Sequence, residues 1–217
     1  MPRNRIKKVR KAPGRPEGTS GLRDAILKAA RDVFARRGYA GTSMKLISEE
    51  AGVATALITY YFGTKEKLHE EIFMQTAGQI GAMRIARLKE VKAAGGGVRE
   101  VISAFLQPLM EVLATEEGRA FLLFQWRVEN EEQELSFSLR QKAYDASTHA
   151  YAEALGALLP EIGRAACYVR LMSIIGATSY AISGRHRLDI LLNNVTPYQG
   201  SELMLQELNQ NAYKLFF

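Results

Sequence analysis

A chain of 217 residues, 47% of them hydrophobic, is long enough for one large domain or two small ones with a substantial core. The net charge of +6 is concentrated: residues 1–23 carry Arg3, Arg5, Lys7, Lys8, Arg10, Lys11, Arg15 and Arg23 against Glu17 alone, a local +7 that leaves the remainder near −1. No apolar run reads as a membrane span, no apolar signal core follows the basic start, and Cys167 is the only cysteine. Secretion, membrane insertion, an intramolecular disulfide and a thiolate metal site are therefore not expected, and the expected location is cytoplasmic.

Residues 1–19 lack apolar periodicity and carry Pro2, Pro13 and Pro16, which reads as a disordered basic arm. A basic arm on a near-neutral body points to a polyanion as partner. Gly14-Arg15-Pro16 resembles the core of an AT-hook, in which Arg15 would enter a narrow minor groove; a plain linker explains the tripeptide equally well.

Helical spacing begins with Leu22, Ile26, Ala29, Ala30, Val33 and Phe34, behind Ser20 as N-cap and ahead of Gly38 as stop. A second helix is expected from Thr42-Ser43 to Ala51. Gly52 breaks it, and an apolar run from Val53 to Phe62 follows almost at once. A helix, a glycine turn and a very short helix make a helix-turn-helix. Gly63 ends that run and Thr64 caps a long helix from Lys65, closed by the glycines at 95–97. Helical patterns follow at 98–113, with Pro108 inside, and at 118–130, 134–159, 161–183 and 201–216. The fold class is all-α, about nine helices: an arm at 1–19, a three-helix DNA-binding head at 20–66, and a larger effector-binding and dimerisation domain at 67–217.

The stretch FARRGYAGTSMKLISEEAGVATALITYYFGTKEKL, residues 34–68, resembles the DNA-binding domain of the TetR family of bacterial repressors. The likeness rests on three motifs in order: G-Y/F-x-x-T-S, I-x-x-x-A-G-V and Y-F-x-[ST]-K-E-x-L. The resemblance implies a homodimer that places the third helix of each subunit in the major groove of a double-stranded operator. It also implies a small effector, bound in the C-terminal domain, that moves the two heads out of register.

In a helix-turn-helix the N-terminal residues of the second helix meet the bases. Here these are Ala54, Thr55 and Ala56, small enough for deep entry, with Thr55 the only early hydrogen-bonding side chain. Lys45 stands where the family often carries Arg or Lys and is the candidate for a guanine contact; a solvated helix face is its bland alternative. Thr42 and Ser43 read as helix caps, phosphate contacts or both. Lys65, in the first turn of its helix, opposes the helix dipole unless a phosphate sits there, and the resemblance places a phosphate contact at this lysine. Thr59 stands where the family usually has tyrosine, so Tyr60 and Tyr61 are the candidates to supply the missing phosphate contact.

No nucleophile elbow and no close metal-ligand spacing appears around His69, His149 or His186, so no enzyme activity, cofactor or metal is expected. The aromatic-rich middle segments suggest an apolar cavity lined by Phe105, Leu109, Phe124, Tyr144, Tyr168 and Met172, with Arg127 to neutralise an acidic head group. The segments around Trp126 and at 173–184 are similar to fatty-acid-responsive members of the family, a likeness that by itself assigns no ligand; the expected effector is small and apolar, fatty-acid-like or aromatic. Residues 161–183, rich in Ala, Gly and Ser, together with 201–216, are the expected dimer interface, as the resemblance implies. Two other readings stay open: a DNA-binding regulatory or architectural protein without a small ligand, and a helical enzyme with an incidental helix-turn-helix.

Overall fold

The computed structural model describes residues 19–131, 134–183, 185–193 and 199–217, and every regular element among them is helical. The basic arm through residue 18, including Arg15, lies outside the described residues. The all-α class holds. Ten α-helices are described against the nine expected.

α1 (Thr19–Arg37) starts one residue ahead of the expected cap, Ser20, and stops at Gly38, whose φ of +70° suits glycine. α2 (Met44–Ala51) is capped by Ser43, whose Oγ accepts the Leu46 N–H at 3.2 Å. Thr42 does not start this helix. It is buried, and its hydroxyl donates to the Gly38 carbonyl at 2.7 Å, sealing the loop between α1 and α2. Gly52, at φ +65°, closes α2, and the Val53 N–H returns to Ser48 O at 3.0 Å, so the turn is tight enough for α3 (Thr55–Phe62) to begin directly.

α4 (Lys65–Ala93) is capped by Thr64 and is long enough to belong to both parts of the molecule. Its first turns pack on α1 and α3. Beyond them it packs on α5 (Val98–Leu113), which continues through Pro108, and on α7 (Glu134–Leu158). α6 (Glu116–Glu129), capped by Thr115, lies across α1. α8 (Arg164–Ser183) packs on α7 and on α10 (Gln199–Asn211), which ends in a 3₁₀ turn at Ala212–Phe216. The helix not anticipated is α9 (Arg185–Leu191), whose seven residues span too few turns to show a period.

The expected boundary after residue 66 falls inside α4, and one hydrophobic cluster crosses it. Ile26, Phe34, Ile47, Ile58 and Phe62 of the head are contiguous with Phe73, Phe121, Phe124 and Val128 of the body. A second cluster, with Phe105, Tyr151, Leu155, Cys167, Leu171 and Phe216, fills the far end. Cys167 is a free, buried thiol. The span Arg164–Ile182 is long and apolar enough by length and composition to cross a membrane, which corrects the expectation that no run reaches that size. Its Cys167, Leu171 and Ile174 are buried in the second cluster.

Candidate nucleic-acid interface and effector cavity

α3 buries Ile58 and Phe62 against α1 and α2 and half-buries Leu57. That leaves Ala54, Ala56, Thr59 and Tyr60 on one outward face, with Tyr60 81% exposed. Ala54 offers no side-chain cap, so the first amides of α3 remain open to an acceptor from outside. The two tyrosines part company: Tyr60 projects outward, whereas Tyr61 is partly buried against the core, its ring edge-on to Tyr60 at 5.5 Å. Thr59 is exposed, and its hydroxyl donates back to Thr55 O at 3.2 Å.

Thr55 is placed differently from the expectation. Its hydroxyl lies 2.8 Å from Ser48 Oγ, and Ser48 already donates to Lys45 O, so the proton between the two hydroxyls comes from Thr55. The residue ties α3 to α2 and keeps only acceptor capacity for a base edge. Lys45 stands on the open side of α2 with an 81% exposed side chain and a distant i,i+4 partner, Glu49, at 3.9 Å. Ser43, exposed at the N-terminus of α2, accepts through its oxygen and still has its own proton to give.

Lys65 turns inward. Its ammonium donates to the Tyr39 and Thr42 carbonyls, both at 3.0 Å, and sits 4.0 Å from the centre of the Tyr39 ring. Two of its three protons are therefore committed to the α1–α2 loop, and the lysine acts first as a brace. Glu66 in the same turn offsets its charge at the helix end. Tyr39 is held from the other side as well, because its N–H donates to Glu131 Oε1 at 2.8 Å. One turn along α4, His69 is enclosed by the rings of Phe34, Tyr39 and Phe124 at 4.7, 5.0 and 5.1 Å. Burial, with Lys65 nearby, pushes its pKa down to about 4, so the ring is neutral, and its Nδ1 has no partner among the described residues. No role for Tyr39 or His69 was legible in the sequence, although the G-Y/F motif marks Tyr39 as special.

A cavity of about 300 Å³ opens between α4, α5, α6, α7 and α8. Of the residues expected to line it, Leu109, Tyr144 and Met172 do. The others do not. Phe105 is buried in the far cluster, under the Arg84 guanidinium. Phe124 belongs to the aromatic enclosure of His69. Tyr168 points to His149, 2.8 Å from its Nδ1. Arg127 faces the head and donates to Arg36 O at 3.2 Å. The cations at the cavity are Arg84 and Arg140, joined by the polar Gln125, Glu129, Thr178 and Ser179. Arg84 had a signal in the sequence: it interrupts the apolar stripe Ala77, Ile80, Leu88 at core spacing.

α6 connects the two regions. Gln125 and Glu129 face the cavity. Arg127, two residues from each and so on the opposite side of the helix, grips the end of α1, and Glu131 just past the helix end grips Tyr39. Among the described residues no group of three or more His, Cys, Asp or Glu side chains is placed to hold a metal ion.

Comparison with known proteins bears on both regions. The family model of bacterial regulatory proteins, tetR family, matches residues 26–72, and that of the tetracyclin repressor-like C-terminal domain matches residues 103–210. The HTH-type transcriptional regulator BetI of Vibrio parahaemolyticus is 37% identical over 68 residues, 31% of this chain and 34% of the relative. The HTH-type transcriptional repressor NicS of Pseudomonas putida is 43% identical over 60 residues, 28% of each chain. These matches thus span about a third or less of the curated relatives. Among solved structures, the fatty acid degradation regulator FadR from Bacillus halodurans superposes with a TM-score of 0.58 at 18% identity, covering 88% of this chain and 97% of the other. A TetR-like transcriptional regulator from Rhodococcus sp. RHA1 gives 0.57 at 18% identity, covering 88% and 94%. At such identities the likeness is one of fold. With a regulatory helix-turn-helix at one end and a repressor-like domain filling the other, the chain belongs to the TetR family of bacterial regulators.

Proposed function

We propose that this protein is a ligand-responsive transcriptional repressor that binds a pseudo-palindromic operator as a homodimer and is released by a small, largely apolar effector. The observation that carries the reading is the outward face of α3: small side chains, an uncapped N-terminus and Tyr60 at the exit, beside the exposed Lys45 and Ser43 of α2. In this reading α3 enters the major groove, with Ala54 and Ala56 against thymine methyls and Thr55 accepting from a base. Ser43, Thr59 and Tyr60 touch the backbone, and the third proton of Lys65 is left for a phosphate. Thr42, with its hydroxyl inside the loop, contributes geometry alone.

The effector occupies the cavity beside α6. Whatever it displaces at Gln125 or Glu129 is felt at Arg127 and Glu131, which hold the end of α1 and Tyr39, so the cavity is coupled to the head through one helix. The names of the relatives agree with a regulator, and one of them is a repressor.

A salt titration of DNA binding tests the reading. A dimer neutralising several phosphates on each half-site should lose affinity with a log–log slope of about −0.9 per phosphate contact. It should also prefer its palindrome to random DNA by about a thousandfold or more. Equal affinity for random and palindromic DNA at every salt concentration would overturn it.

A further inference from the structure

We infer that the cavity is built for an organic acid, with Arg84 as the residue that receives its carboxylate; this rests on the effector reading above and names the chemistry of the ligand. Arg84 is buried in the middle of α4 and lines the cavity. Its Nε donates to the Phe105 carbonyl at 3.0 Å, and its Cζ lies over the Phe105 ring, 3.7 Å from the ring centre. These two contacts fix the plane of the group and use one of its five protons. Among the described residues nothing accepts from the two terminal nitrogens, and no carboxylate lies within 4.0 Å of them.

The neighbouring acids make their hydrogen bonds elsewhere, and the charge of Glu129 acts on Arg84 without direct contact. Glu129 accepts from Gln125 at 2.8 Å through one oxygen and from Ser179 through the other, and Asp145 is exposed at the rim. Arg140 donates to the Glu129 main-chain carbonyl at 2.6 Å. The Tyr144 hydroxyl is likewise spent, on Gln125 Oε1 at 2.7 Å. Burial pulls the Arg84 pKa down to about 10, which still leaves it charged near neutral pH. A rigid, charged fork with an open edge in a cavity is the geometry that accepts a carboxylate bidentately. Ile80, Leu109, Met172, Ile175 and Ile182 form the apolar part of the wall, which suits an apolar body behind the carboxylate. About 300 Å³ places it among small ligands.

The test is calorimetric titration of the purified full chain with matched series of straight-chain and aryl compounds that differ only in the terminal group: carboxylate, primary alcohol and primary amine. The expected result is that carboxylates bind about tenfold or more tighter than the matched alcohols, with amines weakest. In Arg84→Met, which keeps an unbranched apolar stem and removes the guanidinium, the preference should vanish while alcohol binding is retained. The wild-type series decides the question even if that variant does not fold. Alcohols or amines binding as tightly as carboxylates would overturn the inference and leave a ligand-responsive regulator standing. No binding by any of the three series would overturn the effector reading along with it.

Discussion

Two lysines of the DNA-facing head look alike in composition and do different work. Lys45 is exposed with a weak partner, whereas Lys65 ties two carbonyls of the α1–α2 loop and rests on the Tyr39 ring. Lys65→Ala should therefore lower stability by about 1–3 kcal/mol, since it removes charged donors from part-buried acceptors. Lys45→Ala should leave stability within about 0.5 kcal/mol and instead change which operator is preferred. Urea denaturation alongside a competition assay on operator variants separates the two, and equal stability losses would refute the assignment. Gly38 gives a second test. Its φ is +70°, and a Cβ there would stand 2.5 Å from Glu131 Oε1, the atom that accepts the Tyr39 N–H. Gly38→Ala should cost about 1–3 kcal/mol and loosen the head from the body, visible as faster amide exchange at Tyr39.

At the scale of elements, α4 is the helix on which head and body share a core, and its pH response is set by His69. Among the rings of Phe34, Tyr39 and Phe124 the imidazole is held neutral, with its pKa lowered from 6.5 to about 4. Between those values the unfolded chain takes up the proton and the folded chain does not. Stability is thus fully present above pH 6.5 and falls as pH drops towards 4, by about 3 kcal/mol from this group. His69→Leu should flatten that part of the profile. Urea midpoints between pH 7 and 4 that fall equally in both proteins would show that other groups carry the acid response. The same stretch shows how far pattern reading reaches. Most helix limits from α1 to α8 are within a few residues of what apolar spacing, Thr64 and the glycines indicate, because caps and periodicity are local properties. α9 escaped because seven residues carry no readable period, and Thr42 was misplaced because a hydroxyl that caps a helix and one that seals a loop look the same in sequence.

For the whole molecule, the exposed apolar side chains gather towards the C-terminal helices: Val169, Met172 and Tyr180 on α8, Ile190 and Leu191 on α9, and Leu203 on α10. Val169 is 65% exposed on a helix whose opposite side is core. Solvent exposure of so many apolar groups is better explained by a second subunit than by water. The pair Val169→Asp and Leu203→Asp should turn the dimer proposed here into monomer, read by sedimentation velocity. It should reduce operator affinity because each head then binds a half-site alone. An unchanged sedimentation coefficient would place the interface elsewhere.

By itself the sequence determined the helical class, the order of the helices, the helix-turn-helix and the family, all written in local spacing, caps and short motifs. Three of the seven residues chosen for the cavity line it, and Arg84 was overlooked although it interrupts the apolar stripe of α4, because a cavity is formed by side chains far apart in the chain. Only the tertiary structure decided that Thr55 gives its proton to Ser48, that Lys65 braces a loop and that Arg127 grips the head. In each case the deciding atom is an acceptor on another element, and a hydrogen bond is assigned by distance and direction, which residue identity does not carry.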